Sequence, residues 1–196
     1  MEIKRYNIVR NTCWKCLIEC NVRTLPTPLG EICTHYGIGI VNDSDVKLLR
    51  EDESGRIVCV SNTIRIIVND RHPIQRRRYT IAHELGHYLL GHLGTDVSQL
   101  NRRRYDIKPG KESEADAFAA RLLAPACVLW ALDLHTADEI AGLCNMSVRA
   151  AGYRAERMKK LYQKNNFLKS PLEKKVYEQF KPFIKAVSYT HLRAHE

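Results

Sequence analysis

The sequence predicts an α+β fold, and three observations carry that reading. Two β-branched runs, "RIVCV" and "TIRIIVN", sit within residues 56–69, and Val, Ile and Thr pack well on a pleated, half-buried surface. Elsewhere apolar residues recur every three to four positions, the period of an amphipathic helix. The order is helix, short strands, then helices, without a regular strand–helix alternation. That order places the strands in one small sheet and gathers the helices around it.

The elements follow along the chain. Residues 1–20 read as a helix, and "NVRTLPTP" (21–28) breaks it. Thr27 is placed to cap the next helix, with Pro28 at its first position and Glu31 completing a capping pattern. That helix, "PLGEICTHYG", ends near Gly37. "IGIV" (38–41) is a short strand and "NDSDVKLLREDESG" (42–55) a polar loop. The β-branched runs form a hairpin or neighbouring strands around Ser61 and Asn62. Residues 73–90 form a helix stopped by Gly91 and Gly94, and a basic loop "NRRRYDIKPGK" (101–111) follows. "ESEADAFAARLLA" (112–124) is an amphipathic helix. "TADEIAGLCNMSVRAAGYRAERMKKLYQK" (136–164) reads as helix, turn, helix, with Asn145 and Ser147 at the turn and Ser147 capping the second helix.

Composition narrows the class. The 196 residues suffice for one domain with a real core, or a domain and a small appendage. The longest apolar run, "LLAPACVLWAL" (122–132), falls short of the roughly 18 residues a membrane span needs and contains Pro125. The first residues lack the apolar core of a secretory signal, so a soluble, cytoplasmic protein is expected. Seven cysteines, an odd number, then point to reduced thiols. The net charge is +9, and from Arg149 to Lys185 eleven lysines and arginines stand against three glutamates. Such a stretch suits nucleic acid or an acidic partner; solvated helix faces explain it equally simply and are preferred. The last residues, "AVSYTHLRAHE" (186–196), look like a translated sequencing adapter. His191 and His195 are therefore set aside as ligand candidates.

The chemistry lies in "YTIAHELGHYLLGH" (79–92). Helical residues advance about 100° each, so His83 and His87 share a face one turn apart and can hold one ion. Glu84, beside them, can reach a water on that ion without ligating it. A catalytic zinc wants a third protein ligand and an open position. His92 is nearest, but its spacing does not fit an extended HExxH pattern. "ESEAD" (112–116) is the better source. Glu112 and Asp116 lie four apart on one helical face, so Glu112 can ligate while Asp116 accepts the ring N–H of a ligand histidine. Glu114 points elsewhere and is the fallback third ligand. Tyr88, His92 and Tyr153 are candidates for an oxyanion donor. Cys13, Cys16, Cys20 and Cys33 could hold a second zinc, though only one proper CxxC pair exists. Trp14 and Trp130 read as core or interface aromatics, and Cys59, Cys127 and Cys144 as small buried hydrophobes.

"RRRYTIAHELGHYLLGH", "ESEADAFAARLLAP" and "TADEIAGLCNMSVRAAGYRAERM" together resemble the ImmA/IrrE family of metallopeptidases, over roughly residues 25–160. The resemblance implies a compact zincin-like domain. It implies metal binding by His83, His87 and Glu112, and catalysis by Glu84. It further implies a protein substrate that is a DNA-binding, helix-turn-helix repressor of a mobile element or stress response. The expected organisation is a zincin-like metallopeptidase domain over 1–132, a helix-turn-helix-like extension over 133–165, a basic helical tail over 166–185 and the adapter-derived residues 186–196. Two other readings compete. One is a DNA-binding regulator reading duplex through Arg149, Arg154 and Arg157. Against it, Ile140, Leu143, Met146 and Val148 are expected to be buried, so that these helices close a core. The other keeps the fold as a binding module without catalysis.

Overall fold

The computed structural model describes residues 3–60, 63–92 and 109–193. It is mixed α and β, as expected, and divides into two units. One comprises Met1–Thr12 with Leu29–Ala119, the other Cys13–Pro28 with Ala120–Glu196.

The first unit holds the start of α1 (Ile3–Glu19), then α2 (Leu29–His35), β1 (Ile38–Asn42), α3 (Asp43–Val46), β2 (Gly55–Val60), β3 (Thr63–Val68), α4 (Ile74–Leu89) and most of α5 (Pro109–Leu123). The strands form one sheet in the order β1-β3-β2. β1 runs parallel to β3, pairing Ile38 with Ile64 and Ile40 with Ile66; β2 runs antiparallel, pairing Ile57 with Ile66. Three consecutive residues of the central strand, Ile66, Ile67 and Val68, are buried, so the strand is covered on both faces there. Ser61 and Asn62, between β2 and β3, and Gly94 lie outside the described residues.

Residues 42–55, expected as loop, contain the single helical turn α3. Asp43 explains it. Its Oδ1 accepts from the N–H groups of Leu48 and Leu49, each at 2.9 Å, and Lys47 takes a left-handed conformation (φ 51°) to close the turn. The α2 helix starts at Leu29, and Gly37 (φ 68°) follows its end, as the sequence suggests.

Two glycines let helices and sheet approach closely. A Cβ on Gly55 would lie 2.4 Å from Thr80 Cγ2 and 2.8 Å from the Ile67 carbonyl, so only glycine lets β2 sit against α4. A Cβ on Gly86 would meet Phe118 Cδ1 at 3.0 Å and the Ala115 carbonyl at 3.3 Å. The second approach presses α4 against α5, the two helices that carry the motif residues.

The second unit contains the rest of α1 and α5, then α6 (Ala126–Ala131), α7 (Ala137–Cys144), α8 (Val148–Gln163) and α9 (Pro171–Arg193). Pro125 ends α5 and starts α6, which divides the apolar run of 122–132. A full capping box starts α7: Thr136 Oγ1 accepts from Glu139 N–H while the Glu139 carboxylate accepts from Thr136 N–H. Asn145 (φ 50°) makes the turn and Ser147 caps α8, both as expected. Thr27, expected as a cap, donates its hydroxyl to the Leu122 carbonyl at 2.8 Å. Trp130 stacks on Phe167 with ring centroids 5.4 Å apart, and Trp14 is buried. Ile140 and Met146 are buried, whereas Val148, expected in the core, is 57% exposed. As the first residue of α8 it precedes the turn whose face is packed.

Gly86→Val is expected to destabilise the protein by about 1–3 kcal/mol, the usual cost of forcing extra methyl groups into a packed contact. The urea unfolding midpoint measures it, and an unchanged midpoint would show that α4 and α5 separate without cost.

Candidate metal centre

Helix α4 presents His83, Glu84 and His87 from its buried side; the three residues are 5%, 5% and 1% exposed. Helix α5 presents Glu112 and Asp116 one turn apart near its start. The two helices bring three donor atoms together. His83 Nε2 and His87 Nε2 are 2.9 Å apart, and the Glu112 carboxylate oxygens lie 3.3 Å from the first and 3.4 Å from the second. No other group of three His, Cys, Asp or Glu donors converges in this way among the described residues.

The donor set fits a tetrahedral cation. Ligand atoms about 2.0–2.2 Å from such an ion stand roughly 3.3–3.6 Å from one another. The two separations involving Glu112 meet that figure, and the imidazole pair opens to it by a few tenths of an ångström.

The proton positions reinforce the fit. His83 Nδ1 donates to Asp116 Oδ1 at 2.9 Å, and the Tyr79 hydroxyl donates to the same oxygen at 3.1 Å. With Nδ1 carrying the proton, the neutral ring leaves a lone pair on Nε2, aimed at His87. Burial pushes the His83 imidazole down. The hydrogen bonds to Asp116 and Glu112 and the charge of Glu84 outweigh it and hold the group at about 9. The pocket thus calls for positive charge, which a proton supplies in the metal-free chain and a divalent ion supplies when bound. Burial pushes Asp116 up, but the hydrogen bond and charge of His83 hold its carboxyl below the usual range. Burial, then the charge of Asp116, pushes Tyr79 well above its ordinary value, so it stays a protonated donor.

Glu114 lies away from the three donors. Its Oε2 accepts from His92 at 3.0 Å and its Oε1 pairs with Arg5 Nε at 3.2 Å. Helical geometry accounts for this, since two residues along α5 turn a side chain about 200° from Glu112. His92 is buried against His87, and burial holds its imidazole below the ordinary value. Tyr153, on α8 in the second unit, is 70% exposed. Cys13, Cys16, Cys20 and Cys33 assemble no metal group among the described residues, and no disulfide joins the seven cysteines. Cys13 and Cys127 are buried, and loss of solvation pushes each thiol up to about 12, which keeps them neutral and unreactive.

A cleft of about 260 Å³ opens beside two of the donors, His83 and Glu112, and is lined further by Glu84 and Asp116 and also by Ser54, Arg76, Tyr79 and Thr80. Sequence reasoning missed the last four. Tyr79 and Arg76 carried a signal, for they stand four and seven residues before His83 and continue its helical stripe. Ser54 carried none; the sheet brings it, and its Oγ accepts from Arg76 at 2.8 Å.

An HExxH helix joined by a carboxylate from a second, adjacent helix, beside a small sheet, defines a metallopeptidase-type domain. The chain matches the peptidase M78 family, described as an IrrE N-terminal-like domain, over residues 33–156. That span is more than half the chain, and the protein belongs to this family. No match was found among curated proteins. Among the described residues no helix is long and apolar enough to cross a membrane.

Two outcomes follow. His83 has a folded value raised above its ordinary 6.5, so its stabilisation of the metal-free chain is fully present below about pH 6.5 and is lost as pH rises through about 9. Urea midpoints in chelator should fall over that window, and fall less in Asp116→Asn; equal slopes in the two proteins would contradict the pairing. Separately, replacing Cys13 and Cys16 by Ala should leave the zinc content per chain unchanged by atomic absorption, and a fall would reinstate a cysteine site.

Proposed function

We propose that this protein is a zinc-dependent endopeptidase that hydrolyses a peptide bond in a protein substrate. One observation carries the proposal: His83, His87 and Glu112 place their ligand atoms within 4.8 Å of one another, and His83 and Glu112 line a cleft together with Glu84. Zinc bound there would supply Lewis acidity, lowering the pKa of a water it holds towards 7 and polarising the carbonyl to be cut.

The chain's own groups do the rest. Glu84 is next to a ligand histidine yet outside the three-donor group, as a general base must be. It takes the proton of the attacking water and delivers it to the leaving amine. Asp116 holds His83 in the tautomer that leaves Nε2 bare, and Tyr79 steadies Asp116 from the other side. Arg76, which has N–H groups beyond the one it gives Ser54, is the cleft's donor for the substrate carbonyl. His92, considered for that role from sequence, is committed to His87 and Glu114.

The substrate class we infer is a DNA-binding transcriptional repressor, on the family resemblance of the motifs. Direct reading of DNA by α8 is disfavoured by a specific contact. Arg154, one of the three arginines it would need, is 4% exposed and donates its Nε to the Ala124 carbonyl at 2.8 Å. That side chain fastens the second unit together and is not available to a phosphate or base.

Glu84→Gln should retain zinc and lower cleavage by roughly 10²–10⁴, the usual worth of a positioned acid–base group. Co-expression with a small helix-turn-helix repressor, followed by mass spectrometry of the fragments, reads the effect. Undiminished cutting by this variant would remove Glu84 from the chemistry, and no cut by the parent protein in any such pairing would remove the repressor.

A further inference from the structure

His87 is held from behind by a string of groups that begins at the end of its own helix. Gly91 takes a left-handed conformation (φ 67°), and the chain reverses there. His92 N–H then donates to the His87 carbonyl and Gly91 N–H to the Tyr88 carbonyl, at 3.0 and 3.1 Å. This is a Schellman ending, in which the second residue past the cap folds back onto the last turn. An apolar side chain usually makes that contact. Here it is an imidazole, and its Nδ1 lies 3.0 Å from His87 Nδ1.

The direction of each hydrogen bond is fixed from the outer end. Arg5 Nε donates to Glu114 Oε1, and a carboxylate only accepts. Glu114 Oε2, 3.0 Å from His92 Nε2, therefore receives that nitrogen's proton. His92 is then the tautomer with a bare Nδ1, which accepts from His87 Nδ1. The consequence reaches the metal centre: His87 carries its proton on Nδ1 and leaves Nε2 bare, towards His83 and Glu112. The side chains of His92 and Glu114 are 2% and 8% exposed, so water competes little for these bonds. Lys111 Nζ anchors the reversed chain by donating to the His92 carbonyl at 2.8 Å.

We propose that His92 is a positioning residue for His87, and that His92, Glu114 and Arg5 form one string that selects the tautomer of the second metal ligand. The inference rests on the metal-site reading of His83, His87 and Glu112. It gives the two ligand histidines unlike supports: Asp116 directly for His83, and a second imidazole backed by a carboxylate for His87.

The test uses the full chain. Zinc affinity is measured by competition with a chromophoric chelator, and imidazole tautomers by long-range ¹H–¹⁵N NMR of the zinc-loaded parent. The parent should show His87 protonated on Nδ1 and His92 on Nε2. His92→Phe, which keeps the ring and removes both nitrogens, should weaken zinc binding by roughly 10–100-fold, as loss of a ligand's hydrogen-bond partner does. Glu114→Gln should weaken it less, because the amide oxygen still accepts from Nε2–H. A folded His92→Phe with the parent's affinity, or a parent spectrum with His92 protonated on Nδ1, overturns the proposal. Should His92→Phe fail to fold, the parent's tautomers decide. A parent chain that binds no zinc overturns the metal-site reading itself, which separates that failure from this one.

Discussion

Two imidazole nitrogens 2.9 Å apart, each 5% exposed or less as residues, repel one another if both carry lone pairs. The arrangement persists only with positive charge between or beside them. In this protein the outer nitrogens are tied to acceptors, Asp116 behind His83 and His92 behind His87, so the inner lone pairs face each other by construction. Glu112 adds negative charge at 3.3 and 3.4 Å. The result is a small cavity with a strong preference for a cation, and the rest of the fold serves to keep the donors from drifting apart.

That service is mostly steric. The donors come from two helices, and the helices approach only because Gly86 presents no side chain to Phe118 and Ala115. The sheet closes on α4 by the same device at Gly55. Close contact of this kind makes the site stiff, since packed interiors yield little to small displacements. Stiffness suits a site whose ligands must hold their positions before an ion arrives. Ala82 and Leu85, both fully buried, anchor α4 beside its two buried histidines.

Much of the site was legible in the residues because helical spacing is rigid. A spacing of four positions from His83 to His87, and again from Glu112 to Asp116, fixes which side chains share a face whatever the tertiary fold. The same arithmetic turned Glu114 away, and the structure shows what it turns towards. The helix-turn-helix of α7 and α8 was readable too, from Thr136, Glu139, Asn145 and Ser147, since caps act locally. Contacts across long sequence separations left no such trace. Nothing in the sequence tells that Arg5 reaches Glu114, that Ser54 lines the cleft, or that Arg154 is spent on the Ala124 carbonyl. The α3 turn escaped for another reason: its cause is one aspartate accepting two backbone bonds, in a stretch whose composition reads as loop. His92 lay in plain view as a candidate ligand or oxyanion donor, but its place behind His87 depends on the reversal of the chain at Gly91. Only the fold shows that the ending delivers a functional group.

The most direct measurement is diffraction at the zinc absorption edge from crystals grown with zinc. The account predicts one anomalous peak bonded to His83 Nε2, His87 Nε2 and a Glu112 oxygen at about 2.0–2.2 Å, with a coordination position open to the cleft. A peak whose ligands include Glu114 or a cysteine in place of Glu112, or no peak between the two imidazoles at saturating zinc, would contradict it.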